Sequence, residues 1–310
     1  MLYQIECIQT KRKRKLVIIY VIVLLLVLCV SIGLGILVAK NVKQGMQSYE
    51  NTVHVAEIED NKTSGVSQNE QHKEPPKEAE NEPQKQPDIL DKDYHNFVRN
   101  VNDIYNGEKG KRVFLTFDDG PSKAVTPHIL DTLKEHNVKA TFFVLGNRVK
   151  LNPDLVKRAY DEGHYIGNHS YSHKYSKIYA SSNDVIKEYN KAEKEIQKAL
   201  GDNTYSSHLF RFPGGSIGGE YHKIKKETKK LLKEQQIAYL DWNALTSDAA
   251  GANTKEQIMK NLKKTVGNHN NVVVLMHDAP DKILTYETLN DVIIYLRQKG
   301  YTFQNMYDLM

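Results

Sequence analysis

The chain has 310 residues, of which 26% are charged and 40% are hydrophobic, and this length fits one large domain or two small ones. Its formal net charge is only +5, and no arginine-rich tract with interleaved aromatic residues occurs, so nucleic acid is not expected as a partner. The two cysteines, Cys7 and Cys29, both precede residue 40. Disulfides and thiolate metal sites are therefore excluded beyond that point, where only histidines and carboxylates could hold a metal.

A long apolar run begins close to the N-terminus. Residues 16–39 contain no charged side chain, and 24 helical residues would span about 36 Å, enough to cross a bilayer. The basic tail of residues 1–15 precedes this run and favours a cytoplasmic N-terminus. We therefore expect a single-pass anchor in the cell membrane, with the rest of the chain outside. A cleaved signal peptide is the alternative, but its apolar region is normally shorter, and no A-x-A cleavage pattern follows.

Residues 40–95 are rich in Glu, Gln, Lys and Pro and poor in apolar side chains. Such a segment cannot bury enough surface to fold alone, so an extracellular disordered linker is predicted, which lets a domain reach away from the membrane. A helical stalk is the alternative, and its four prolines argue against a long one. Residues 93–111 are expected to form an added segment at the bottom of the following domain.

From residue 96 to residue 310, short β-rich runs alternate with helical patterns. This alternation indicates βαβ units and a parallel sheet, either a (β/α) barrel or an open doubly wound sheet. No G-x-G-x-x-G follows the first strand, which disfavours a dinucleotide-binding fold. Seven strands are predicted, at residues 113–117, 140–146, 164–168, 209–212, 237–242, 271–277 and 301–305. Helices are predicted at residues 122–137, 153–161, 181–201, 222–235, 254–265 and 283–298.

Polar side chains follow five of these strands at the point where each strand ends. In (β/α) barrels the chemistry lies at the carboxyl ends of the strands, so we expect these side chains to face one mouth. Each cluster is weak evidence by its spacing alone, and the shared position is the stronger evidence. The residues are Asp118, Asp119, His169, His173, Arg211, Asp241, Trp242, Asp248, His277 and Asp278.

The adjacent carboxylates of Asp118 and Asp119 repel each other unless a cation relieves them. His169 and His173 are four residues apart and would share a face if that stretch were helical. Two imidazoles and one carboxylate form a divalent metal site with open positions, the pattern of catalytic zinc. One aspartate can ligate the metal while its neighbour accepts a proton from water. Alone, D-D-G is usually a turn, and an isolated H-x-x-x-H usually has no function.

Three tyrosines, Tyr171, Tyr175 and Tyr179, recur at every fourth position directly after the first of these histidines. A stripe at this spacing is typical of one helix face. We expect it to pack against the rest of the domain. A sugar-stacking platform is the alternative.

Residues 112–310 resemble the NodB-homology polysaccharide deacetylases of carbohydrate esterase family 4. The resemblance covers about the C-terminal two-thirds of the chain, and four motifs carry it in order. They are T-F-D-D-G at 116–120, H-[ST]-x-x-H at 169–173, R-x-P-x-G at 211–215 and L-x-H at 275–277. The resemblance implies a deformed (β/α) barrel with about seven parallel strands.

The resemblance also implies the ligands of the metal. Asp119, His169 and His173 would bind one divalent ion, usually zinc, with cobalt as an alternative. Asp118 would be the general base, held in place by Arg211.

Further roles follow from the other motifs. His277 would be the general acid that protonates the leaving amine, and Asp248 would orient it, with Asp241 as the alternative. Leu275 would line the acetyl pocket, and Trp242 would bind substrate. The backbone N–H of Gly214 would help to hold the oxyanion. Many members carry a larger side chain such as Tyr at that position, so the pocket wall is expected to be more open here.

These observations predict a metal-dependent hydrolase that removes N-acetyl groups from cell-wall polysaccharide, with peptidoglycan N-acetylglucosamine as the expected substrate. No protein partner is predicted. Alternative substrates are N-acetylmuramic acid, chitin oligomers, exopolysaccharide and O-acetylated xylan. A wall-binding protein without turnover is the non-enzymatic alternative, but it would not need Asp118, Arg211 and His277 together. A phosphoesterase or nuclease would require more carboxylates and usually two metals.

Overall fold

The computed structural model describes residues 91–106 and 110–310. The predicted cytoplasmic tail, the membrane anchor and residues 40–90 of the predicted linker lie outside the described residues. Within the described part of the chain, no helix combines the length and the apolar character needed to cross a membrane.

The described residues form a parallel α/β fold with eight strands and nine α-helices. The strands are β1 (Arg112–Asp118), β2 (Thr141–Val144), β3 (Tyr165–Asn168), β4 (Leu209–Phe210), β5 (Ala238–Tyr239), β6 (Ala244–Leu245), β7 (Asn271–His277) and β8 (Thr302–Gln304). The helices are α1 (Asp91–Asn102), α2 (Thr126–Glu135), α3 (Gly146–Leu151), α4 (Pro153–Asp161), α5 (Tyr175–Ile178), α6 (Ser182–Leu200), α7 (His222–Glu234), α8 (Lys255–Val266) and α9 (Ile283–Gln298). A 3₁₀ turn, Met306–Leu309, ends the chain.

All strand pairs of the sheet are parallel, in the order β5-β4-β3-β2-β1-β7-β6, with β8 beside the first half of β1. Strands β5 and β6 follow each other in the chain but stand at opposite ends of this order. Side chains from β1 through β5 and from β7 meet in one inner cluster, so the sheet curls into an incomplete barrel that is open between β5 and β6. The predicted parallel α/β class is therefore confirmed.

Strand β1 lies at the centre of the fold because it pairs along its whole length with β7 and at its two halves with β8 and β2. Its residues from Val113 to Asp118 are all buried, as expected for a parallel strand covered on both faces. The register pairs Asp118 directly with His277 of β7. The pairing of β1 with β7 therefore places the D-D-G turn beside the L-x-H motif at one edge of the sheet.

The structure contains all seven predicted strands and, in addition, the two-residue strand β6, which was not predicted. Predicted strands four and five, 209–212 and 237–242, are each only two residues long in the structure. Arg211 donates hydrogen bonds to the carbonyl oxygens of residues 240 and 241, so these carbonyls bond to a side chain and not to a neighbouring strand. Helices α1, α3 and α5 were not predicted.

Helix α1 is part of the folded domain and overlaps residues 91–95 of the predicted linker. Its side chains Phe97 and Val101, with Ile104 just beyond it, are fully buried in the inner cluster. They pack there with Phe114 of β1 and Met306 of the 3₁₀ turn. The expected added segment thus fills the inside of the barrel beside the start of β1.

Shortening Val101 to alanine should lower the free energy of unfolding by about 2 kcal/mol, because two buried carbon groups and their packing are lost. Val98, on the same helix, is only partly buried, and Val98→Ala should cost less than about 1 kcal/mol. Urea unfolding followed by circular dichroism measures both. Equal, small losses of unfolding free energy in Val101→Ala and Val98→Ala would show that α1 does not belong to the core.

Candidate active site

The predicted site residues meet at the carboxyl edge of the barrel. Asp118 ends β1 and His277 ends β7, while Arg211 directly follows β4. His169 comes directly after β3. The shared mouth expected from the sequence is therefore present, and each side chain is positioned by the end of a buried strand.

Asp118 and Arg211 form a buried ion pair. One Asp118 carboxylate oxygen accepts a hydrogen bond from Arg211 Nη1 at 2.8 Å, and the Arg211 side chain is 0% exposed. Arg211 also donates to the Thr116 hydroxyl at 2.7 Å and to the carbonyls of Leu240 and Asp241 at 2.9 and 3.0 Å. Burial raises the pKa of Asp118, and the nearby guanidinium opposes that rise. Arg211 therefore fixes the carboxylate, and each of its three side-chain nitrogens donates at least one hydrogen bond.

Asp119, His169 and His173 form a candidate metal site. The Asp119 Oδ1 atom lies 3.6 Å from His169 Nε2 and 3.4 Å from His173 Nε2, and the three possible ligand atoms are all within 4.8 Å of one another. The buried Asp119 Oδ1 has no hydrogen-bond partner among the described residues. An orphaned buried carboxylate oxygen facing two imidazoles is what a divalent cation would satisfy, so the residues fit a metal.

The local backbone and the second nitrogen of His169 prepare this site. His169 Nδ1 is 2.8 Å from the carbonyl oxygen of Arg211, so its Nε2 points towards Asp119, as in histidine ligands fixed by an outer partner. Burial lowers the pKa of His169 to about 3, which keeps it neutral and able to ligate. The stretch from His169 to His173 is not helical, because Ser170 and His173 have φ angles of 72° and 53°. The shared-helix-face interpretation is wrong, and a strained loop brings the imidazoles together instead.

The D-D-G turn is held from behind by Asp278. The backbone N–H of Asp278 donates to the carbonyl of Asp118 at 3.0 Å, and its carboxylate accepts from the Thr126 hydroxyl at 2.7 Å. A Cβ atom on Gly120 would collide with that carboxylate, so only glycine fits there. Burial raises the pKa of Asp278 to about 7. Asp278 therefore supports the turn.

His277 is paired with Asp248. Asp248 Oδ1 lies 2.9 Å from His277 Nδ1, and its other oxygen accepts from the His277 backbone at 2.8 Å and from the Thr285 hydroxyl at 2.8 Å. Asp241, the alternative left open by the sequence, bonds instead to the backbone and hydroxyl of Ser216. The Asp248 hydrogen bond and charge overcome the effect of burial and raise the pKa of His277 to about 9.

The raised pKa of His277 predicts a pH-dependent contribution to stability. This contribution is fully present below the unfolded value of about 6.5 and is lost as the pH rises through about 9, and it amounts to at most about 3 kcal/mol. In Asp248→Asn the two largest contributions that raise the pKa are removed and only the Asp118 and Asp119 charges still oppose burial, so the stabilising contribution should shrink. Urea unfolding at pH 6.0 and 9.5 compares the two proteins. Parallel pH dependences would contradict the assigned pair.

The wall beside Gly214 is not open, contrary to the expectation from the sequence. Gly214 has a φ of 73°, and a Cβ built on it would lie 2.5 Å from the hydroxyl oxygen of Tyr175. Helix α5 thus places an aromatic side chain where a larger residue at position 214 would stand. The neighbouring Pro213 carbonyl accepts a 2.7 Å hydrogen bond from Tyr179. Tyr175 and Tyr179 therefore pack against the R-x-P-x-G loop, whereas Tyr171 lies beside Gly146 and Lys191, so the stripe packs within the domain as expected.

Leu275 and Trp242 occupy different positions around the site. Leu275 lies two residues before His277 on β7 and so shares its face of the strand, and it is partly exposed. The Trp242 ring is 5.7 Å from the Arg211 guanidinium and would be 3.3 Å from a Cβ on Gly215. It lines a cleft of about 520 Å³ that also includes Leu240 of the open β5–β6 side. Trp242 therefore lies beside Arg211 and lines this cleft, whereas Leu275 lies on the strand that ends at His277.

Three contacts of the site were not predicted from the sequence. Thr116 lies within the T-F-D-D-G motif, yet nothing in the pattern showed that it accepts from Arg211. Thr285 binds Asp248 across 37 residues of chain, which gives no local signal. Tyr175 belonged to the noted stripe, but its place over Gly214 depends on the loop between the two histidines.

Comparison with known proteins supports the same architecture. Residues 105–236 match the family model described as polysaccharide deacetylase. The chain is 37% identical over 214 residues to a peptidoglycan-N-acetylglucosamine deacetylase of Listeria monocytogenes, a match that covers 67% of this chain but only 41% of the Listeria protein. It is 32% identical to a peptidoglycan-N-acetylmuramic acid deacetylase of Bacillus subtilis, covering 73% of this chain and 81% of that protein.

A solved structure shows the same fold. The structure of a Streptococcus mutans CE4 esterase superposes with a TM-score of 0.60 at 32% identity, covering 67% of this chain and 90% of that one. The incomplete parallel barrel, with Asp119, His169 and His173 grouped at its strand ends, is thus the architecture of the CE4 esterases. Within that class, the chain belongs to the polysaccharide deacetylase family.

Proposed function

We propose that this protein is a metal-dependent N-deacetylase of cell-wall polysaccharide that acts on the N-acetylglucosamine of peptidoglycan. The observation that carries the proposal is the convergence of three units at one mouth: the Asp119–His169–His173 set, the Asp118–Arg211 pair and the His277–Asp248 pair. The named activities of the Listeria and Bacillus relatives support the same reaction class.

The Asp-His-His set would hold one divalent ion, for which zinc is our proposal because two imidazoles and one carboxylate are typical zinc ligands. When bound, such an ion supplies Lewis acidity that polarises a carbonyl and acidifies water. Asp119 Oδ1, His169 Nε2 and His173 Nε2 are the three protein atoms that face one another for this purpose.

Asp118 is the proposed general base. Arg211 occupies its Oδ1, so its Oδ2, 3.8 Å from His169 Nε2, faces the metal ligands and can accept the proton of the attacking water. The new carbon–oxygen bond forms at the acetamide carbonyl, and negative charge develops on the former carbonyl oxygen. The backbone N–H of Gly214 is the proposed donor to that oxygen, and Leu275 is the proposed contact of the acetyl methyl group.

His277 is the proposed general acid. Its pKa of about 9 keeps it protonated at neutral pH, and Asp248 fixes the ring through Nδ1, so Nε2 is left to donate. The carbon–nitrogen bond breaks as the nitrogen takes this proton. The products are acetate and a free amino sugar, and the proton taken by Asp118 balances the proton given by His277.

The proposed location explains the choice of polymer. Residues 16–39 would anchor the protein in the cell membrane and residues 40–90 would let the domain reach the wall, where peptidoglycan is the abundant N-acetylated polymer. N-acetylmuramic acid is the second candidate sugar, favoured by the activity named for the Bacillus subtilis relative.

The substrate is tested by acetate release from purified peptidoglycan, with chitin oligomers and acetylated xylan in parallel. Acid hydrolysis of the treated peptidoglycan then distinguishes new glucosamine from new muramic acid units. Acetate accompanied by glucosamine residues supports the proposal. Acetate from xylan alone, or de-acetylated muramic acid alone, would contradict the proposed sugar.

A further inference from the structure

The side chain of Tyr175 occupies the space above Gly214 at the edge of the metal site. Its hydroxyl oxygen is 2.5 Å from where a Gly214 Cβ would stand, and its ring centroid is 5.6 Å from that of the ligand His173. Tyr175 is therefore interposed between the R-x-P-x-G loop and a metal ligand. A side chain at residue 214 and the phenol of Tyr175 cannot occupy this position together.

The position of this ring is fixed by its neighbours. Tyr175 packs edge-on against Tyr179 and Tyr221, at centroid distances of 5.7 and 6.2 Å, and Tyr179 in turn stacks on Tyr221 at 5.0 Å. Tyr179 is also tied to the loop through the carbonyl of Pro213. The ring is therefore held in place before any ligand arrives, which lowers the entropic cost of a contact.

The hydroxyl of Tyr175 is free for a ligand. It makes no hydrogen bond within the described residues, whereas the hydroxyl of Tyr179 is used by Pro213. Tyr175 is 39% exposed, although it lies in an aromatic cluster. An apolar ring with an unused donor at the rim of a polar mouth is the arrangement by which proteins orient small polar ligands.

We propose that Tyr175 is a substrate-contact residue, which replaces a side chain at position 214 as the wall of the pocket. Its hydroxyl hydrogen-bonds the sugar that carries the acetamide, and its ring covers one side of that sugar. This inference rests on the proposed function, because it needs an N-acetylated saccharide in the mouth. It assigns to Tyr175 a role in binding and orientation and no part in proton transfer.

The first test measures binding in the absence of turnover. The full chain carrying Asp118→Asn is titrated with an N-acetylglucosamine tetramer by calorimetry, with and without Tyr175→Phe. The loss of one hydrogen bond should raise Kd about 3- to 10-fold. Tyr221→Phe, in the same cluster, is the control and should leave Kd unchanged. Equal losses in both variants, or no loss for Tyr175→Phe, would overturn the proposal.

The second test uses the steric relation with Gly214. Gly214→Ala should weaken tetramer binding strongly in the parent chain, because the new methyl group displaces the Tyr175 hydroxyl. The same change should cost clearly less in the Tyr175→Ala background, although the positive φ at 214 strains both. Equal costs in the two backgrounds would assign the whole effect to the backbone and overturn the proposal. Zinc content, measured alongside, should stay the same in all four proteins.

The two proposals fail in different ways. If the parent chain binds the tetramer and the Tyr175 effects appear, but no acetate is released from any polymer, the proposed function fails and the contact stands. If acetate is released and Tyr175→Phe changes neither KM nor Kd, the contact fails and the function stands. A higher KM with unchanged kcat in Tyr175→Phe is the expected kinetic result.

Discussion

Asp118→Asn should lower the rate of acetate release by about 10²- to 10⁴-fold, the usual contribution of a positioned general base. The amide cannot accept the proton of the attacking water, yet it keeps the size of the carboxylate and can still accept the hydrogen bond from Arg211. Zinc content should therefore stay close to that of the parent chain, whereas the melting temperature should fall, because the buried Arg211 loses its counter-charge. Acetate release under saturating substrate measures the effect.

The control for this variant is Asp281→Asn. Asp281 is another carboxylate near the mouth, but its side chain is 72% exposed and its ion-pair partner among the described residues is Lys282. Its loss should leave the rate unchanged. Full activity in Asp118→Asn, with normal zinc content, would refute the role of Asp118 as the base.

Arg211→Met should lower the free energy of unfolding by about 3–5 kcal/mol, because it leaves the Asp118 carboxylate buried without its counter-charge. The Thr116 hydroxyl and the Leu240 carbonyl would lose their donor at the same time. Acetate release should fall as well, since nothing would then hold Asp118. Urea unfolding at neutral pH measures the loss of stability.

Arg158→Met is the matched control for this loss. Arg158 also pairs with two carboxylates, Asp131 and Glu162, but its side chain is 32% exposed. Exposed pairs contribute little, so its replacement should cost about 1 kcal/mol or less. Similar losses of unfolding free energy in the two variants would mean that burial does not make the Arg211 ion pair more stabilising than an exposed one. Adding Asp118→Asn to Arg211→Met should restore part of the stability, because the uncompensated charge is then removed.

The regular part of the fold could be predicted because its sequence pattern is strong. The bounds of α4 and α9 match the predicted helices at 153–161 and 283–298, where apolar positions recur with helical spacing. Residues 91–95 of helix α1 were assigned to the linker because the composition there is polar, and residues 93–111 were expected only as an added segment. Phe97 and Val101 of this helix, with Ile104 just beyond it, nevertheless recur at i, i+4 and i+7, a signal that was present in the sequence.

The site could be predicted only as far as its motifs reach. The strand ends located Asp118, His169 and His277 because parallel strands share one functional edge. The route from His169 to His173 could not be read, because the left-handed conformations of Ser170 and His173 are not encoded by glycine or any other clear signal. The position of Tyr175 depends on that same loop, so the pocket wall was predicted incorrectly.

We propose that one metal ion at Asp119, His169 and His173 makes this domain a deacetylase. The most direct measurement removes all metal from the full chain and follows both bound zinc and acetate release from purified peptidoglycan as zinc is added back. We predict almost no acetate without metal and full release at one zinc per chain. Acetate release that does not depend on metal, or stoichiometric zinc binding with no acetate released from peptidoglycan, would contradict the claim.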